Sequence, residues 1–216
     1  MNASRWLMAG LGLIVVFAIA GLVIFDQVDQ KDDAPRVVID QKLLEKNYSA
    51  KLGNPEAKVK LVEFFDPACG TCASFYPFVK QLMAANPDKI ELQVRYAPFH
   101  QGSDFVVMLL EAARLQDMFW EALEVLYANQ DKWTQQHVAV PELVVQVLSA
   151  TKLDMNQLQQ DYRNERIISR IRQDIDDGMA IPVEKTPEFF VNGQPLSSFG
   201  YQQLQHLVEQ EIARQY

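Results

Sequence analysis

The sequence predicts an α/β domain whose small sheet is interrupted by an all-helical insertion, and three observations point to it. β-Branched and aromatic runs at 58–65 and 90–96 read as strands, and a third at 188–191 runs straight into Asn192-Gly193, a strong short hairpin signal. Between the second and third runs, apolar residues recur at helical spacing over some eighty positions. The resulting order is strand, helix, strand, helical block, hairpin, helix, which describes a mixed-layer domain. With 216 residues, 49% apolar and 22% charged, the chain has enough material for one such core.

The first segment stands apart from that domain. From Trp6 to Phe25 run twenty residues without a charge, long enough at about 1.5 Å per residue to cross a hydrocarbon layer of roughly 30 Å. Arg5 precedes the run; Asp26, Asp29, Asp32 and Asp33 follow it with only Lys31 opposing them, so the rest of the chain is expected outside. A cleaved signal peptide is the alternative, since Ala18-Ile19-Ala20 resembles a cleavage site. The run continues past it to Phe25, and that length favours an anchor. Residues 1–25 are thus expected as a transmembrane helix, 26–36 as an acidic tether, and 37–216 as the folded domain, with its insertion at about 102–180.

Within the domain each element has its own reason. Cys72, Phe75, Tyr76, Val79, Leu82 and Met83 form one helical stripe, and Pro77 inside it predicts a kink. In the insertion, Phe119, Trp120, Leu123, Leu126 and Tyr127 mark a helix, and Pro141 suits the first turn of the next. Leu158, Tyr162, Ile168, Ile171 and Ile175 mark one longer helix, with Asp154 and Gln157 as its capping box and Gly178 as its stop. Leu204, Leu207, Val208 and Ile212 give the last helix, 201–215, its apolar face. The block's apolar side chains, Phe105, Val106, Phe119, Trp120 and Leu123 among them, mostly pack its own core.

A net charge of −8 removes the basic footprint that nucleic-acid binding needs. The chemistry has to come from the two cysteines, Cys69 and Cys72, in Cys69-Gly70-Thr71-Cys72. A bridge between them closes too small a loop to brace a fold, so in an exported domain the pair reads as redox-active. At i and i+3 on the first turn of a helix the sulfurs come within bonding reach. The orphan N–H groups and the helix dipole lower the pKa of the first thiol. Cys69 is therefore the expected nucleophile at an exposed tip, and Cys72 the buried sulfur that resolves mixed disulfides. Zinc wants four ligands, and His100, His137 and His206 are the only other soft donors, so no metal site is expected; His100, just after a strand, reads as incidental. Glu63 sits inside the apolar run Leu61-Val62-Glu63-Phe64-Phe65, on one face with Leu61 and Phe65. Burial would raise its pKa and make it a proton carrier for Cys72.

These residues resemble the DsbA-like branch of the thioredoxin superfamily, exported thiol:disulfide oxidoreductases. The resemblance rests on Gly53–Val59 leading into the Glu63 strand, on Cys69-Gly70-Thr71-Cys72, on Pro77, and on Thr186-Pro187-Glu188-Phe189-Phe190-Val191-Asn192-Gly193. It covers roughly residues 37–216. It implies a thioredoxin fold with a helical subdomain over the active-site side of the sheet, and a cis bond at Thr186-Pro187 that sets this loop against the cysteines; Pro182 is a rival for that place. It further implies that Thr186, Pro187, Gly70 and Thr71 meet substrate beside catalytic Cys69, Cys72 and Glu63. No cofactor is implied. The implied partners are client proteins with thiols or disulfides and a membrane redox partner, at the extracytoplasmic or periplasmic side of the cytoplasmic membrane. Two departures stand out: Lys185 where relatives carry glycine, a charge that would favour a nearby thiolate, and Gly70-Thr71 in place of a proline-histidine pair. No separate dimerisation module of the kind seen in isomerases is legible, which favours dithiol oxidation. A reductase or isomerase, a non-catalytic membrane-tethered chaperone and a copper carrier are the competing readings.

Overall fold

The computed structural model describes residues 38–216 apart from Pro182. The expected anchor at 1–25 and tether at 26–36 lie outside the described residues, as does Pro182; among the described residues no helix is long and apolar enough to cross a membrane.

Strand β2 (Val59–Phe65) is the centre of a five-stranded sheet. It pairs in parallel with β3 (Ile90–Tyr96) on one side and antiparallel with β6 (Glu188–Val191) on the other. The edges are β1 (Lys51–Gly53), antiparallel to β3, and β7 (Gln194–Pro195), antiparallel to β6. The β6–β7 turn takes positive φ at both Asn192 (48°) and Gly193 (83°), the turn whose twist matches its strands. β2 is buried almost along its whole length, because helices cover both faces of the sheet. One face carries the main core with Leu61, Phe65, Cys69, Cys72 and Phe189, the other a smaller core with Val62, Phe64 and Phe190.

Between β2 and β3 runs α2 (Gly70–Ala85), continuous through Pro77, with Cys72, Phe75, Tyr76, Val79 and Leu82 buried as the stripe predicts. A short α1 (Gln41–Leu44) precedes β1. The block between β3 and β6 holds α3 (Ser103–Arg114), α4 (Phe119–Ala128), α5 (Gln130–Trp133), a small hairpin of β4 (Thr134–Gln135) and β5 (Val138–Ala139), α6 (Pro141–Leu148), α7 (Met155–Asp161) and α8 (Glu165–Ala180). Helix α9 (Tyr201–Gln215) closes the domain on Leu204, Val208 and Ile212.

Three local expectations are corrected. The single long helix is split into α7 and α8, because the Asn164 side chain accepts the Arg166 N–H and starts a new helix there. Asp154 caps α7, but the Gln157 side chain bonds Asp161 instead of reaching back, so only half of a capping box forms. Gly178 does not stop α8, which runs to Ala180; a Cβ there would make ordinary van der Waals contact with the Phe64 ring at 3.5 Å.

Candidate active site at the start of helix α2

The C-terminal end of β2 delivers the chain into Asp66-Pro67-Ala68 and then to Cys69, the N-cap residue of α2. Cys72 lies one turn into the helix on its buried face. The two sulfurs are hydrogen-bonded, Cys72 donating to Cys69, and that bond is the largest influence on Cys69. Burial works against it, while the Thr186 side chain and the Cys72 and Thr71 backbone N–H groups add to it. The Cys69 thiol is pulled down from its usual 9 to about 5. Cys72 moves the other way: burial, its hydrogen bond to Cys69 and the nearby Glu63 carboxyl hold it well above its usual range. One thiol is made an anion and its neighbour kept a proton donor, which is the asymmetry that exchange chemistry needs. The expected exposed tip is corrected: Cys69 is only 7% exposed, against 0% for Cys72, with Thr186 of the 186–187 loop against its sulfur.

Thr186-Pro187 is cis, and the Thr186 carbonyl accepts the Cys69 thiol at 3.3 Å. Residues 117 positions apart in sequence therefore meet at one sulfur, with Gly70 and Thr71 exposed beside it. Lys185 behaves differently from its expectation. Its ammonium sits over the Phe199 ring, 5.5 Å from the centroid, and acts on Glu188; the strongest influences on Cys69 are the Cys72 hydrogen bond and burial, followed by Thr186 and the Thr71 and Cys72 N–H groups.

Glu63 is 2% exposed on the face of β2 that carries Leu61 and Phe65, next to the cysteines. Burial first, then the charge of Cys69, raises its pKa from the usual 4.5 to about 8. At neutral pH this carboxyl holds its proton.

Four neighbours were not legible as site residues. Asp66 is wholly buried and binds His100, Ser103 and the Ala68 N–H. His100 is thus not incidental: its Nδ1 lies 2.7 Å from Asp66, and its ring lies against that of His137, centroids 5.7 Å apart. From the helical block, Gln130 donates to the Pro67 carbonyl at 2.9 Å. Tyr127 is pushed well above its usual range by burial and then by Cys72, Glu63 and Cys69, which sets its phenol among them. Asp66-Pro67 stands just before the cysteines, but nothing in that pair by itself marks it as part of the site. Nothing in the apolar stripe of α4 distinguishes Tyr127 from a packing residue. Among the described residues no three His, Cys, Asp or Glu side chains cluster as metal ligands.

A thioredoxin family model matches residues 45–210. A probable disulfide bond formation protein D of Bacillus anthracis is 26% identical over 225 residues, spanning 99% of this chain and 100% of the relative. A thioredoxin-like oxidoreductase from Silicibacter pomeroyi DSS-3 superposes with a TM-score of 0.70 at 28% identity, covering 82% of this chain and 99% of its own. Oxidised BdbD from Bacillus subtilis gives a TM-score of 0.70 at 23% identity, over 83% and 100% of the two chains, a likeness of fold.

Proposed function

The chain belongs to the thioredoxin family, and we propose that it is an exported, membrane-anchored enzyme of the DsbA-like branch that oxidises client dithiols through Cys69 and Cys72. It is a thiol:disulfide oxidoreductase. The observation that carries the site assignment is the meeting of the Cys69 sulfur, the first turn of α2 and the Thr186 carbonyl at 3.3 Å. A cysteine held there presents its sulfur beside exposed backbone that an extended client can pair with.

In the oxidised enzyme the Cys69–Cys72 bond is the electrophile. A client thiolate attacks the Cys69 sulfur, a client–Cys69 bond forms, and Cys72 leaves as a thiolate. Glu63, protonated at neutral pH with its pKa near 8, gives Cys72 a proton. The second client thiolate then attacks the client sulfur of the mixed disulfide and expels Cys69 as a thiolate. The client loses two electrons and two protons; the enzyme takes both electrons as Cys69 thiolate and Cys72 thiol, one proton restores Glu63 and the other goes to water, and a membrane redox partner that accepts the two electrons re-forms the disulfide. Thr186, Pro187, Gly70 and Thr71 frame the client around Cys69. The direction follows from Cys69: a thiolate stable down to about pH 5 stabilises the reduced enzyme, and a couple whose reduced form is stabilised is an oxidant. The apolar run at 6–25 and the acid-rich segment after it support export and anchoring.

The decisive measurement is the equilibrium of the Cys69–Cys72 couple with glutathione, together with oxidation of a reduced, unfolded protein. The expected result is a couple that glutathione reduces readily, with stoichiometric transfer of the disulfide to the client and capture of mixed disulfides by Cys72→Ala. A couple that glutathione cannot reduce assigns the chain to the reductases. Binding of unfolded protein that is equal in wild type and Cys69→Ser, without exchange, assigns it to the chaperones.

A further inference from the structure

The exchange steps use Glu63 but leave untouched the carboxylate nearest the motif in sequence. Asp66 is wholly buried. Its side chain accepts the Ala68 N–H at 2.8 Å, the His100 N–H at 2.8 Å and the Ser103 hydroxyl, and pairs with His100 Nδ1 at 2.7 Å. A carboxylate offers about four acceptor positions, and all are engaged, so neither its rotamer nor its place in the turn is free. Its main chain is committed as well: the carbonyl accepts the Cys69 N–H at 3.0 Å. One residue thus holds the backbone of the first cysteine where α2 begins. Its own anchor comes from elsewhere in the chain, the loop after β3 and the first turn of α3.

We propose that Asp66 is a positioning residue for the redox couple and that His100 is the clamp that fixes it. Through this pair the 66–69 turn holds the start of α2, with its first N–H groups, at Cys69. The Thr71 and Cys72 backbone N–H groups at that helix start favour the Cys69 thiolate over the disulfide, whose sulfurs are weak acceptors. Loosening the turn therefore costs the reduced enzyme more than the oxidised one and moves the equilibrium towards the disulfide. The inference rests on the disulfide-exchange reading of Cys69 and Cys72. His100 is a suitable point of attack because its side chain is 26% exposed and lies outside the apolar core, against His137.

The test uses the full chain with His100→Ala, His100→Asn and Asp66→Asn, each equilibrated with glutathione buffers, with thermal unfolding as the check on folding. Asparagine puts an N–H donor close to where the imidazole Nδ1 stands and carries no titratable ring. His100→Ala is expected to shift the equilibrium about threefold to tenfold towards the disulfide, roughly 15 to 30 mV for a two-electron couple. His100→Asn is expected to restore it to within about twofold, and Asp66→Asn to shift it at least as far as His100→Ala. A His100→Ala couple equal to wild type overturns the clamp. So does a His100→Asn shift as large as that of His100→Ala, because the ring's charge and not its hydrogen bond would then be at work. Should Asp66→Asn fail to fold, the two His100 variants decide alone. A wild-type chain without a reversible two-electron couple overturns the exchange reading and the clamp together, whereas an intact couple that His100→Ala leaves unmoved overturns the clamp only.

Discussion

Two buried charged residues, Glu63 and Arg95, lie on adjacent strands of the same sheet and are treated in opposite ways. Glu63 on β2 and Arg95 on β3 are one register step apart, since Glu63 pairs with Val94 and Phe64 with Arg95, so they face opposite sides of the sheet. On the Arg95 side, the guanidinium binds Asp174 at 2.7 Å and Asp177 at 2.6 Å. It also donates to the Leu43 and Leu44 carbonyls, while Tyr48 bonds Asp174 and Lys46 bonds Asp177. On the Glu63 side, burial and the Cys69 sulfur are what act on the carboxyl, and both push its pKa up. The first arrangement compensates its charges and ties α1 and α8 to the sheet. The second keeps a carboxyl that is stable only with its proton on, which weakens the fold and suits proton transfer. Placement on one face or the other of a strand separates a structural ion cluster from a site poised for chemistry.

The strongest way to break the contrast is Arg95→Met, which strands Asp174 and Asp177 without their guanidinium. A loss of about 3–5 kcal/mol in urea unfolding is expected. The glutathione equilibrium of the cysteines should stay within about twofold of wild type, and a larger change would show that the two faces are not independent. Next comes Glu63→Gln. In the unfolded chain Glu63 ionises near 4.5 and in the fold near 8. Between those pH values the native state holds a proton the unfolded chain has lost, so wild-type stability falls as pH rises through that window. At about 1.36 kcal/mol per pKa unit the displacement amounts to a few kcal/mol. Glu63→Gln should flatten that slope in denaturant titrations at pH 5 and 8, and slow disulfide exchange about 10- to 100-fold at pH 7.

A smaller effect sharpens the same contrast at the sulfurs. Alkylation of the reduced enzyme should follow a single thiol with a midpoint at about pH 5, and Cys72 should react only after unfolding. Glu63→Gln should leave that midpoint in place, because at pH 5 the Glu63 carboxyl is still protonated and exerts no charge on Cys69. The smallest effect is expected from Lys185→Ala. With its ammonium over Phe199, removal of the charge should move the alkylation midpoint by no more than about 0.3 pH units; a larger rise would restore Lys185 as a support for the thiolate.

Local chemistry made much of the site legible. The spacing of Cys69 and Cys72 puts them on one helical turn, and the apolar stripe to Leu82 says which sulfur lies deeper. Glu63 announces itself as a charge inside an apolar strand, and Asn192-Gly193 dictates its own hairpin. The sequence also carries the apolar run at 6–25 on its own terms. Asp66 and His100 escaped because each is unremarkable alone: an acid before a proline and a histidine after a strand acquire a role only when β2 and β3 align in parallel and bring positions 34 apart to 2.7 Å. Tyr127 and Gln130 escaped for the same reason, since a helix's periodicity says which face is buried and not what lies across from it.

What the residues determined by themselves is therefore whatever depends on neighbours within a turn or along one strand: element types, the order of the two sulfurs, and a carboxyl that burial would protonate. What only the tertiary structure decided is which distant groups close on them. The Thr186 carbonyl over Cys69, the Asp66–His100 pair behind it, and the opposite fates of Glu63 and Arg95 all depend on strand register and on which face each side chain takes. Register and face are settled by packing the whole core at once, and a single stretch of chain carries no record of that.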